Sequence, residues 1–185
     1  MRKLFVGAAG FAAMLGVASV TQAQQKSAVT YGFSGGLTLP MGTLGDINGS
    51  GFNLQAHANL KPSSLAFGLR GDLGLFTTAA KTLPATGSQS GRTYSSQTWL
   101  TVNANGVYNF EGAKDQTFVP YAIAGVGLYS GNGGRGTSFG INGGGGVTFK
   151  LSGFDAFAEA RIHNAFSSGY SARFLPLSFG INFKP

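Results

Sequence analysis

The chain has 185 residues, of which 43% are hydrophobic and only 10% charged, and it contains no cysteine. Soluble domains carry about 25% charged residues, so an ordinary solvated surface is excluded, as are a disulfide framework and a lipid-carrying cysteine. The formal charge of +7 falls to +5 when Arg2 and Lys3 leave with the leader described next, and the remaining basic residues are scattered. Nucleic-acid binding would need them gathered into a stripe.

The first segment reads as a secretory signal. Arg2 and Lys3 give a positive start, Leu4 to Val17 form an apolar stretch, and Thr21-Gln22-Ala23 offers the small residues a signal peptidase needs. A leader over 1–23 and a mature domain over 24–185, beginning at Gln24, are expected. The alternative, a membrane-spanning helix, fits less well because the stretch is short for a bilayer and lacks a basic stop-transfer flank.

From Val29 onward apolar and polar residues alternate with a period of two, in segments about 10 residues long. Val29, Tyr31, Phe33, Leu37 and Leu39 share one face, opposite Thr30, Gly32, Ser34, Gly36 and Thr38. Phe52, Leu54, Ala56, Ala58 and Leu60 oppose Asn53, Gln55, His57 and Asn59; Leu65, Phe67, Leu69, Leu73 and Leu75 oppose Gly68, Arg70, Asp72 and Gly74. A segment from about Tyr94 to Phe110 sets Leu100, Val102, Ala104, Tyr108 and Phe110 against Gln97, Thr101, Asn103, Asn105 and Asn109, with Trp99 on the polar side.

The next segment, Phe118 to Tyr129, turns Ala122, Ala124, Val126 and Leu128 one way and Tyr121, Ile123, Gly125, Gly127 and Tyr129 the other. Phe139, Ile141, Val147 and Phe149 then oppose Ser138, Asn142, Thr148 and glycines from the run Gly143 to Gly146. Phe154, Ala156, Ala158, Ala160 and Ile162 oppose Asp155, Glu159, Arg161 and His163. Leu175, Leu177, Phe179, Ile181 and Phe183 oppose Ser178, Gly180 and Asn182. The pattern predicts an all-β fold: a closed, antiparallel, up-and-down transmembrane β-barrel of about eight strands. No later stretch is long and apolar enough for a membrane helix, so insertion requires a closed sheet whose backbone groups all pair internally.

Connections alternate in length, as expected when one end faces the periplasm and the other the cell exterior. Lys61 to Ser64, Glu111 to Thr117 and Lys150 to Gly153 read as short turns; Pro40 to Ser50, Thr77 to Thr93, Ser130 to Gly136 and Asn164 to Ala172 read as outer loops. The Thr77 to Thr93 loop is expected to be the most mobile.

Alternation alone does not orient the wall, since a secreted lipocalin-like barrel turns the same pattern inside out. Volume and charge decide. An eight-stranded barrel has just enough interior for side chains, and the polar face carries the small residues. Arg70, Asp72, Glu159 and Arg161 lie mid-strand on that face, and an Arg turned to lipid near the midplane would cost about 2–4 kcal/mol. These four are expected to form an interior charge network, with Asp155, His57 and His163 nearer the ends. In a soluble sandwich, the competing reading, they would be solvated surface charges.

A strand reading Phe157-Ala158-Glu159-Ala160-Arg161 and a closing strand reading Leu175-Pro176-Leu177-Ser178-Phe179-Gly180-Ile181-Asn182-Phe183, together with the leader and the strand count, resemble the eight-stranded outer-membrane β-barrels related to the transmembrane domains of OmpA, OmpX and the opacity proteins. The resemblance covers nearly the whole mature chain and specifies fold better than activity. It implies a porin-like cell-surface location in the outer membrane of a Gram-negative-type bacterium, and contact with outer-membrane lipid, lipopolysaccharide and the barrel-insertion machinery. Two departures stand out: Phe183 is followed by Lys184 and Pro185 where such barrels usually end on an aromatic residue, and the peptidoglycan-binding domain of OmpA-type proteins does not follow the last strand.

Chemistry finds little footing. A lipid-A deacylase pairs His with a Ser two residues away on one strand face, whereas His163 is followed by Asn164 and Ala165, with Ser167 and Ser168 further on. His57 and His163 have no metal-site spacing. Asp46, Asn48, Ser50 and Gly51 echo a calcium loop, but His57 stands where the bidentate glutamate belongs. Gly143 to Gly146 and Asn132-Gly133-Gly134 lack the strand-to-helix context and Lys-Ser/Thr partner of a P-loop. No cofactor, metal or catalytic residue is expected. A non-catalytic, monomeric protein with a structural or surface-interaction role is the expectation, with a narrow channel or carrier for small hydrophobic solutes as the alternative. Lys81, Arg92 and Arg135, all in predicted outer loops, are candidates for contacts with lipopolysaccharide phosphates.

Overall fold

The computed structural model describes residues 29–86, 90–112, 116–132, 136–167 and 170–183, so the leader and Gln24 lie outside them. Among the described residues ten strands and one short helix follow in order: β1 (Val29–Met41), α1 (Thr43–Ile47), β2 (Gly51–Leu60), β3 (Gly68–Thr78), β4 (Lys81–Leu83), β5 (Arg92–Tyr94), β6 (Gln97–Asn109), β7 (Phe118–Gly131), β8 (Thr137–Lys150), β9 (Phe154–Ser167) and β10 (Tyr170–Phe183). Eight of them close into an antiparallel barrel in the order β1-β10-β9-β8-β7-β6-β3-β2, while β4 and β5 form a separate hairpin.

Closure is made by β1 and β10, which pair from Tyr31 with Phe183 to Met41 with Arg173. Once the sheet closes no edge remains, which is the condition for a β-structure to sit in hydrocarbon. Between β9 and β10 the register holds on both sides of a gap: Phe174 pairs with His163 and Leu177 with Ala160, but pairing lapses at Leu175 and Pro176. Proline has no N–H to donate to the ladder.

The two faces are oriented with apolar residues outward. Phe179 is 69% exposed and Leu69 41%, whereas Arg70 and Glu159 are each at 5%. The same parity runs round the barrel, so a lipocalin-like core and a two-sheet sandwich are both excluded. Aromatic rings gather on the outer face at both ends. Phe33 packs edge-on to Phe183, Tyr108 to Phe110 and Phe118 to Phe149 near the chain termini, and Phe52, Phe139 and Phe166 are exposed near the long loops. Aliphatic residues such as Leu54, Leu100, Val126 and Ile141 are exposed between them.

Local departures from the sequence reading have simple causes. The third strand begins at Gly68 instead of Leu65, since Leu65 and Phe67 are exposed in the turn that joins β2 to β3. Tyr94 belongs to the hairpin and not to the following barrel strand; Lys81 pairs with Tyr94 and Leu83 with Arg92, so the connection expected over Thr77 to Thr93 runs past Thr93 and carries a hairpin of its own. The Pro40 to Ser50 loop extends β1 to Met41 and then forms α1.

Candidate functional site

Parity sends one residue in two into the bore, and the bore divides into three zones: a stopper at the loop end, an ion network in the middle, and a polar well at the end where Val29 and Phe183 lie. The network is built from β3 and β9. On β3, Arg70 Nε donates to Asp72 Oδ1 at 2.6 Å, and Arg70 Nη1 reaches across the bore to Glu159 Oε2 at 2.8 Å. On β9, Arg161 Nη1 donates to Asp72 Oδ2 at 3.0 Å, while its Nε lies 3.2 Å from Glu159 Oε1. Two strands thus contribute alternating charges at positions two apart, and each cation touches both anions.

Neutral side chains complete the shell. Gln55 Oε1 accepts from Arg161 Nη2 at 2.8 Å, Tyr121 donates its hydroxyl to Glu159 at 2.9 Å, and Asn105 donates its amide to Asp72. The four charges sum to zero, and both carboxylates are enclosed by donors, as a buried ion pair requires. Glycine makes the space: a Cβ on Gly146 would lie 2.5 Å from the Tyr121 ring, so the small residue on β8 is what lets the Tyr121 side chain cross the bore.

At the loop end the filling is apolar. Leu44 of α1 is fully buried and packs with Phe76, Trp99, Tyr129, Ala165, Ala172 and Phe174. Trp99 stacks on Phe174 at 5.4 Å, and His163 lies against the other rings of this group, 5.2 Å from Phe174 and 5.1 Å from Phe76. His163 Nδ1 is bonded to the Tyr129 hydroxyl at 2.8 Å. His57 is the register partner of Asp72 and reaches toward the terminal end, where its Nε2 bonds Asn182 Oδ1 at 2.7 Å. Asp155 lines the well.

No family model matches the chain, and no curated protein matches it. Solved structures do. The crystal structure of Neisserial surface protein A superposes with a TM-score of 0.62 at 17% identity, covering 87% of this chain and 100% of that one. A major outer membrane protein from Thermus thermophilus gives 0.59 at 14% identity, again over 87% and 100%. The N-terminal β-barrel domain of Pseudomonas aeruginosa OprF gives 0.50 at 13% identity, over 85% and 100%. The fold is that of the eight-stranded outer-membrane β-barrels.

Within this outer-membrane barrel fold the other sequence candidates find structural occupations. Ser167 bonds Ser138 at 2.6 Å, while His163 is bonded to Tyr129, so this serine and histidine are engaged elsewhere; Ser168 lies outside the described residues. Asn48 donates to the carbonyls of Ala79 and Ser95, which ties the α1 loop to the hairpin. Of the loop cations, Lys81 donates to the carbonyl of Gly45 at 3.0 Å and Arg92 lies 5.1 Å over the Tyr94 ring, whereas Arg135 falls outside the described residues. Sequence reading did not assign Gln55, Asn105, Tyr121 or Leu44 to the site. The first three stand on the inward parity of their strands, which was the available signal; Leu44 had none, because a five-residue helix carries no periodicity to read.

Proposed function

We propose that this chain is a non-catalytic outer-membrane protein of a Gram-negative-type bacterium, exported by a leader over 1–23, with a structural or surface-interaction role exercised at its loop end. The observation that carries this reading is the contrast between an apolar outer wall and a bore closed in its middle by the bonded ion network and at its loop end by the Leu44 cluster. A soluble protein tolerates exposed apolar patches of only a few hundred Å², so the wall calls for lipid. With the bore closed at its loop end, the loops and hairpin are the surface there that meets other molecules.

Partners consistent with this placement are outer-membrane lipid, lipopolysaccharide and the machinery that inserts such barrels; a closed wall with paired edges asks for no second copy. The narrow-channel alternative would need a path past both the ion network and the Leu44 stopper. Three measurements test the proposal together: outer-membrane fractionation, heat-modifiable migration of the unboiled protein, and planar-bilayer recording. Recovery in the outer membrane with a mobility shift and no reproducible conductance steps is the expected result. Steady single-channel steps would replace it with the channel reading. Changing Lys81, Arg92 and Arg135 together to Gln and finding unchanged lipopolysaccharide association would remove those three residues from the interaction surface.

A further inference from the structure

Of the charged residues in the described barrel strands, Arg70, Asp72, Lys150, Asp155, Glu159 and Arg161 all take the inward parity. Arg173 on β10 is the exception. Its chain neighbours Ala172 and Phe174 are buried inside at 3% and 0%, whereas Arg173 is exposed and makes no hydrogen bond or ion pair among the described residues. A cation turned outward on an otherwise apolar wall needs a reason.

Its depth supplies one. Arg173 and Phe183 are ten residues apart on β10, a length that at about 3.3 Å per residue and a tilt of about 40° covers about 25 Å, the height of the apolar band of such a barrel. Arg173 therefore stands at the loop-end border of that band, where an outward Arg costs about 0–1 kcal/mol instead of the 2–4 kcal/mol of the midplane. Exposed Phe139 and Phe166, paired across β8 and β9, mark the same border. Beside Arg173 in the register is Asn164, whose Oδ1 accepts from Ser171 Oγ at 2.8 Å, so that its amide nitrogen remains a second donor.

Toward the midplane on the same strands the wall is hollowed. Gly145, Ala158 and Ala160 form the floor of an open depression of about 660 Å³ bordered by Leu37, Leu177 and Phe179. The register explains it: Ala160 pairs with Gly145 on one side and with Leu177 on the other, and Leu177 pairs with Leu37. Small side chains are thus enclosed by large ones. Leu177 is four residues from Arg173 on β10, about 13 Å at 3.3 Å per residue.

We propose that Arg173, Asn164 and this depression together hold one phosphate-bearing lipid of the leaflet at the loop end, its phosphate on the guanidinium and one acyl chain in the hollow; the assignment rests on the outer-membrane reading above. A guanidinium pairs with a phosphate through two parallel N–H bonds. Within hydrocarbon a chain is retained by close packing, not by exclusion of water, and a hollow floored by small residues provides that packing.

Native mass spectrometry of the whole mature barrel in non-ionic detergent micelles gives the test. Phosphatidylglycerol and phosphatidylcholine of the same chain length are titrated separately, with sodium phosphate as the headgroup without a chain. One retained phosphatidylglycerol per barrel is expected, with phosphatidylcholine held more weakly and sodium phosphate unable to displace it. Arg173→Gln should raise the half-saturation concentration about fivefold, equal to about 1 kcal/mol, and Arg173→Lys should stay near the parent value. Ala160 is exposed on the outer face, so Ala160→Leu fills the hollow without disturbing the bore and should also raise it, with heat-modifiable migration intact in every variant. Equal retention of the two lipids, displacement by sodium phosphate, or binding unchanged by either Arg173→Gln or Ala160→Leu overturns the proposal. Outer-membrane fractionation of the same variants should match the parent, so loss of the lipid site leaves the location of the barrel standing, and a barrel absent from that fraction removes the location whatever the micelle titration gives.

Discussion

Asp72 is the residue on which the bore's electrostatics turn, because both guanidiniums bond to it and it has no exposed surface. Removing one partner of a buried pair strands the others, at about 3–5 kcal/mol, whereas replacing a whole pair by apolar residues is often neutral. Asp72→Ala is therefore expected to lower unfolding stability in micelles by about that amount, and the double variant Asp72→Leu with Arg161→Met to lose less than Asp72→Ala alone. Urea titration of the folded band checks both. Glycine gives a second contrast on adjacent residues. A Cβ on Gly144 falls on the backbone carbonyl of Ala160, while on Gly143 its nearest neighbour is 3.8 Å away. Overpacking costs about 1–3 kcal/mol, so Gly144→Ala should destabilise the barrel and Gly143→Ala should leave it unchanged in the same titration.

Among the elements, α1 has the largest effect for its size. Five residues long, it buries Leu44 completely against aromatic rings carried by β3, β6, β7 and β10. Trp99 is the chain's single tryptophan and stacks within that group, so its emission reports the packing of the stopper. Leu44→Asp would force a charge into an apolar site. The expected outcome is a red-shifted Trp99 emission and stronger quenching by acrylamide, with the barrel still heat-modifiable. Strand positions were legible in the sequence because membrane barrels repeat one rule, apolar out and polar in, over segments long enough to count. Arg70, Asp72, Glu159 and Arg161 could be assigned to the same interior because each stands on the inward parity near mid-strand. How they pair could not, since pairing depends on the tilt that brings β3 opposite β9 across the bore. The start of β3, the β4–β5 hairpin and α1 escaped for the opposite reason: they are too short for periodicity, and tertiary contact decides them.

At the scale of the whole molecule the orientation of the wall governs everything else. Val126 lies on the outward-facing side of β7, between Ala104 and Ile141 on the neighbouring strands. Val126→Arg should lower folding stability in bilayers by about 2–4 kcal/mol, the cost near a midplane, and far less in micelles whose detergent can rearrange around the charge; a two-medium unfolding comparison reads the difference. The interior runs from greasy at one mouth to wet at the other, which makes the two entrances chemically unlike. The wall itself has one seam among the described strands. Where Pro176 interrupts the ladder between β9 and β10, opposite Arg161 in the register, the main chain is short of one amide donor. Lateral tension on the cylinder would find its first yield there, where two consecutive register pairs are missing from the ladder.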